Sequence, residues 1–275
     1  LGANPFFPGH RTMSTSLLVL AQIAAFVFAA WALGRLLLHA ARWEPDSEGF
    51  TLPLSLLFGA GGIALLVFGL GSVGLLYPVV FRILFGLLLA GGLWFLVRRA
   101  PPPGDRVREE LCALQTSRLA WLGMAVALVA LGSALLTALA PVEGTPGNDG
   151  IHHYLPQCRV WSLTHDLRII PDNPYTNLPN YISSIILCYG QIFALEDAKS
   201  INLLFLFASL LSIRALFRTL GFSPLATALG LLIYLVTPLT HFHLRMVFID
   251  LAASSFLFLS FACWLRYQAS GKMQY

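Results

Sequence analysis

The sequence predicts an all-α polytopic membrane protein with about seven transmembrane helices and shorter interfacial or re-entrant helices in one large external loop. Three observations carry this. Hydrophobic residues make up 57% of the 275-residue chain and charged residues 11%, whereas soluble domains carry roughly 25% charged residues. Mean hydropathy is +0.75, and a soluble core cannot absorb so many long apolar runs. The remaining charges gather between those runs, with arginines near their ends, as membrane anchors do. The net charge of +4 is modest and those anchors account for it. The lipid bilayer is therefore the expected partner, and no nucleic acid is implied.

The chain opens at Leu1, and Met13 is a candidate translation start. The apolar run that follows lacks the basic leader of a signal peptide and is long enough to span. It is read as the first transmembrane helix, residues 16–38. The second span covers 52–76, is rich in glycine, and ends at Tyr77 and Pro78. The third covers 79–97. Glycines in these two spans either allow close helix packing or are small residues without a dedicated interface.

Residues 98–118 form a basic linker. Arg98, Arg99, Arg106, Arg108 and Arg118 outnumber Asp105, Glu109 and Glu110, and three prolines at 101–103 stiffen it. The positive-inside rule makes this segment cytoplasmic. It separates an N-terminal three-helix unit, residues 1–97, from a membrane core, residues 119–275.

The fourth span, 119–140, then runs outward. Loop 141–198 becomes external, which in a bacterial inner (cytoplasmic) membrane is the periplasmic side. A short helix is expected over 156–166, with Pro156 in its first turn. Leu155, Cys158, Trp161 and His165 share one face, and Tyr154 and Trp161 suit the headgroup level, so this helix is expected to lie on the membrane. The apolar run 181–195 is only about 15 residues long, short of the roughly 20 a span needs. If it spanned, Arg214 and Arg218 would become external and Glu196 and Asp197 cytoplasmic, against the charge rule. It is read as dipping in or lying flat. Spans 201–216, 224–238 and 249–267 follow, and Arg266 and Lys272 end in the cytoplasm. A second external turn, 240–250, carries His241, His243, Arg245 and Asp250. Both polar clusters thus face the same side.

The candidate site residues lie in these clusters. Asp149 sits in Gly-Asn-Asp-Gly. A carboxylate there can act as a general base or metal ligand, and the same residues make an ordinary turn. His152 and His153 are adjacent and would diverge by about 100° on a helix. His241 and His243 are two apart, which suits one face of an extended segment. Asp149, His241 and Asp250 form a candidate divalent-metal set; the alternative is interfacial histidines bonded to water or headgroups. Arg245 suits a phosphate or a membrane-surface anchor. Prolines at 174 and 179 fix an extended path from which Tyr175 and Asn177 project, positioning a substrate or stiffening a loop. Cys112, Cys158, Cys188 and Cys263 form no C-x-x-C. Cys158 and Cys188 fall on the same side, but spacing alone sets no disulfide.

The order of these features resembles the bacterial GT-C fold glycosyltransferases, a family related to protein O-mannosyltransferases and lipid A aminoarabinose transferases. The matching pieces are Asp149; His153-Tyr154-Leu155-Pro156; Tyr175-Thr176-Asn177-Leu178-Pro179; Arg218-Thr219-Leu220-Gly221-Phe222; Thr237-Pro238-Leu239; and Asp250. They cover residues 119–267. The resemblance implies that Asp149 is the base that deprotonates an acceptor hydroxyl, and that Asp250 assists or holds a cation. It places His243 and Arg245 toward the donor phosphate, and His153, Tyr154, Tyr175 and Asn177 in substrate binding. The implied donor is a polyprenyl-phosphate sugar with its lipid tail between helices, and a positive charge at the leaving phosphate would stabilise the transition state.

Members of the family usually continue for several more spans, whereas this chain stops soon after its seventh. The expectation is either the N-terminal part of a longer enzyme or a degenerate relative, a non-catalytic subunit beside other membrane subunits. The first three spans are extra to the family pattern. A transporter half is the weaker expectation, since no inverted repeat is visible.

Overall fold

The computed structural model describes residues 13–43, 48–99, 118–140, 153–171, 181–246 and 249–271. These residues are helical and contain no strand. The long helices are α1 (Met13–Ala40), α2 (Glu48–Ser72), α3 (Pro78–Arg99) and α4 (Arg118–Leu139). Two short helices follow, α5 (Leu155–Thr164) and α6 (Tyr181–Ile192), then a 3₁₀ segment (Leu195–Ile201) that runs into α7 (Asn202–Thr219). The chain continues through α8 (Pro224–Val236), α9 (Pro238–Arg245) and α10 (Asp250–Ser270).

The protein is an all-α integral membrane protein. Among the described residues, four helical stretches are long and apolar enough to cross a membrane: Ser16–Ala40, Gly49–Ser72, Pro78–Arg98 and Leu195–Thr219. The pair α8–α9 makes a fifth if its 50° bend is counted within one span. Helices α4 and α10, of 22 and 21 residues, occupy the remaining two predicted positions but are not among these candidates.

Turn chemistry sets several boundaries. α2 stops at Ser72 rather than 76 because Gly74 adopts φ +72°. Leu75 N–H then donates to Leu70 O at 2.8 Å, and Gly74 N–H to Gly71 O at 3.3 Å. This left-handed cap satisfies the last carbonyls of a helix. Pro78 opens α3, where its missing N–H costs nothing. The same device ends α7: Gly221 has φ +77°, and Phe222 N–H donates to Phe217 O at 3.0 Å. The Phe217 and Phe222 rings meet at 5.0 Å, the apolar contact such caps favour. Ser223 then caps α8, accepting from Ala226 N–H at 3.2 Å, with Pro224 in the first turn. The Arg218–Phe222 motif is therefore helix-stop chemistry.

Helices α1 and α2 touch backbone to backbone. A Cβ on Gly34 would lie 1.7 Å from Ser55 O, and one on Gly59 would lie 1.6 Å from Ala30 O. Gly92 of α3 is close against Phe28 and Ala32 of α1. By contrast, a Cβ on Gly61, Gly69 or Gly86 would meet nothing within 4 Å. Both readings of the glycines hold, each at different positions, and the close partner of α2 and α3 is α1.

The short helix α6 lies inside the bundle, with Ile182 through Tyr189 buried. Its twelve residues are too few to span. Tyr189 packs edge-on against Phe26 of α1 at 5.5 Å, and its hydroxyl donates to Gln22 Oε1 at 3.4 Å. Ser183 and Gln191 of α6 pair with α5, while the buried Tyr181 hydroxyl has no hydrogen-bond partner among the described residues. Ser183 Oγ donates to Gln157 Oε1 at 3.1 Å, Gln191 Nε2 to Ser162 Oγ at 2.9 Å, and Cys158 Sγ to Ser183 O at 3.2 Å.

This pairing also corrects the expected placement of Trp161. The residue is fully buried within the protein rather than facing outward, and its indole N–H donates to Arg168 O at 3.0 Å. The apolar face of α5 turns to α6, while Leu163 and Ile169 point outward. Trp161→Ala is expected to cost about 3–5 kcal/mol, read as a lowered thermal midpoint in detergent micelles. A midpoint equal to wild type would mean that α5 does not pack this way.

The two ends of the bundle differ in charge. At one end Arg35 lies 5.0 Å over the Phe95 ring, Arg98 5.4 Å over Trp94, and Arg266 5.0 Å over Phe50. At the other, the α2–α3 turn is tied to the segment after α5. Leu76 N–H donates to His165 O at 3.1 Å, and the His165 and Tyr77 rings stack at 4.0 Å.

Candidate functional site

A proline break between α8 and α9 sets the course of the chain into the α9–α10 junction. Thr237 is extended, and Pro238 starts a new helix at its first turn. The predicted turn 240–250 is therefore helical as far as Arg245, not extended. His241 and His243 diverge by about 200° around α9 and do not share a face. The bend brings the end of α9 to the start of α10, so that His243 Nδ1 lies 3.6 Å from Asp250 Oδ2. This is ion-pair range for a protonated imidazole and longer than a direct hydrogen bond. His243 is 15% exposed and Asp250 57% exposed in their side chains. Asp250 occupies the first turn of α10, where the helix dipole favours a carboxylate; His243 and Arg245 occupy the last turn of α9, where it favours cations. An imidazole beside a carboxylate can hold and move a proton; Arg245, two residues after His243 at the end of α9, is exposed, and an exposed guanidinium can meet a phosphate.

Two residues that the sequence reading passed over hold this junction in place. Asn202, at the start of α7, donates through Nδ2 to His243 O at 2.9 Å and to Met246 O. Lys199, three residues earlier, donates through Nζ to Thr137 O at 2.9 Å, in the last turn of α4. Both are buried, at 2% and 3% exposure. The signal in the sequence is an ionisable residue, Lys199, at the mouth of an apolar run, next to the acidic Glu196 and Asp197.

Of the predicted site residues, the structure brings His243 and Asp250 together and sets Arg245 at the end of the same short helix. His153 and Tyr154 open α5, and Tyr154 packs half-buried against the core. Asp149, His152, Tyr175 and Asn177 lie outside the described residues, as does Asp149's part in the candidate metal set. Among the described residues no group of three His, Cys, Asp or Glu is placed to hold a metal ion. Cys158, Cys188 and Cys263 are free thiols. Burial raises the pKa of the Cys158 thiol, which keeps it protonated and inert. The Tyr181 ring lies against Phe205 of α7 and Phe256 of α10, and burial likewise raises its pKa. A groove of 560 Å³ between α1, α2, α3 and α7 is lined by apolar residues that include Trp31, Leu56, Phe207 and Leu211. It offers a surface for hydrocarbon and none for chemistry.

Near the same end, Arg168 makes two hydrogen bonds to Asp166, at 2.8 and 2.7 Å. Those bonds, with a lesser one from Thr164, hold the Asp166 carboxyl at about 2. A lowered folded-state pKa contributes stability above the unfolded value, about 3.9, that is lost only as pH falls through the folded value. Wild type and Asp166→Asn should therefore keep a constant difference in thermal midpoint from about pH 8 to about pH 5. A difference that shrinks within that range would show that Asp166 titrates higher.

Fold and composition define a class: a helical integral membrane protein with a cluster of polar residues, His243 and Asp250 among them, at one end of its bundle. No protein-family model, curated protein or solved structure matches the chain.

Proposed function

We propose that the chain is a GT-C-like membrane glycosyltransferase, or the N-terminal part of one, that transfers a sugar from a polyprenyl-phosphate donor on the periplasmic side of a bacterial inner membrane. The observation that carries the reading is the His243–Asp250 pair, with Arg245 ending the same short helix, held by Asn202 at the start of α7, three residues after the Lys199 that holds the end of α4. The residues beyond the end of α4 include Asp149. The element order supports the reading too. A long helix is followed by two short helices, a long helix, a helix broken at Thr237-Pro238, and a helix opened by Asp250, the order that the resemblance calls for.

In this reaction the acceptor oxygen gives its proton to Asp149 and bonds to the anomeric carbon. The bond from that carbon to the donor phosphate oxygen breaks, and polyprenyl phosphate leaves with the electron pair. Arg245 stabilises the growing charge on the phosphate, and the His243–Asp250 pair keeps the site's proton balance. His153, Tyr154, Tyr175 and Asn177 line the substrate path.

The test supplies purified full chain in proteoliposomes with a synthetic polyprenyl-phosphate sugar and measures release of polyprenyl phosphate. Turnover above protein-free vesicles supports the reading. No turnover, combined with stable recovery in a complex with other membrane subunits, would instead make the chain a non-catalytic subunit.

A further inference from the structure

Two helix ends meet at one short stretch of chain. The last carbonyls of a helix have no intrahelical partner and are satisfied by donors or cations placed there. α4 receives one such donor from Lys199, and α9 receives another from Asn202. The two donors stand three residues apart where the 3₁₀ segment passes into α7. Between them Ser200 Oγ donates to the Tyr189 hydroxyl at 3.3 Å, which ties the stretch to the buried helix α6. A buried ammonium is costly unless it is paired, so Lys199 is a poor choice for packing alone and a good one for holding a carbonyl. Beyond α4 the chain runs toward Asp149, and beyond α9 toward Asp250.

We infer that Lys199 and Asn202 are positioning residues, two arms of one clamp that fixes the spacing between the end of α4 and the end of α9, from which the two walls of the proposed site depart. The inference deepens the glycosyl-transfer reading and rests on it only for its kinetic consequence.

Hydrogen–deuterium exchange on the full chain in nanodiscs reads each arm locally. Lys199→Met keeps the stem and removes the donor, and amides 136–140 should exchange at least about tenfold faster. Asn202→Asp should do the same for amides 243–246. Amides 54–60 of α2 should not change in either variant, and Lys199→Arg should return 136–140 to the wild-type rate. In the transfer assay both loss variants should lower kcat at least about tenfold and leave KM for the donor within about twofold, because the walls shift while donor contacts persist. Unchanged exchange at both ends overturns the clamp, as does an equal rise throughout the molecule, or local opening with undiminished turnover. If wild type shows no turnover, the glycosyl-transfer reading fails, and the pattern of exchange still decides the clamp.

Discussion

Leucine in place of Gly59 should lower the stability of the bundle by more than about 3 kcal/mol. The Cβ alone would lie 1.6 Å from the Ala30 carbonyl oxygen, and the obstacle is backbone that cannot swing aside. α1 and α2 would have to separate, and Phe26, Leu57 and Ala60, all buried, would lose their packing. Gly34→Leu meets Ser55 O from the other side and should behave alike. Gly61→Leu is the internal control: it lies in the same helix, and a Cβ there meets nothing within 4 Å. That variant should stay within about 0.5 kcal/mol of wild type, or gain slightly from helix propensity. Thermal unfolding in one detergent compares the three. Equal losses at Gly59 and Gly61 would mean that general effects of bulk, not a close α1–α2 contact, govern the result.

Asp149→Asn should reduce sugar transfer by about 10²–10⁴-fold, the range for loss of a general base. Asp250→Asn should reduce it by about tenfold to a hundredfold, since His243 remains and loses only its carboxylate partner. The thermal midpoint should not follow activity for Asp250→Asn, because that side chain is 57% exposed and exposed substitutions perturb stability little. Arg245→Lys should also be impaired, because a point charge cannot replace a two-pronged contact to phosphate. If transfer is measurable and neither aspartate change lowers it, the roles given to Asp149 and Asp250 are wrong.

Apolar run length marked the long helices in the sequence, and charge placement marked their ends. The short α6 was legible as too short to span from the length of its apolar run, and the helix has twelve residues. Pairing across the chain was not legible. Trp161 reads as an interfacial aromatic until the carbonyl of Arg168 and the face of α6 are known. Thr237-Pro238 reads as the end of a span, yet proline also begins helices, and α9 follows it. That turn converts His241 and His243 from neighbours on one face into residues on opposite sides. Lys199 and Asn202 act through carbonyls of Thr137 and His243, 62 and 41 residues away in sequence, and no local pattern announces such partners.

The proposed site requires Asp149, after α4, and Asp250, at the start of α10, to lie close together on the external side. Cysteines in place of Asp149 and Asp250, with the four native cysteines replaced, test it in sealed, right-side-out vesicles. Both positions should react with a membrane-impermeant maleimide, and a short bismaleimide should join them within one chain. Labelling of each position from outside without any cross-link between them, or protection of either one, would contradict the two-walled site.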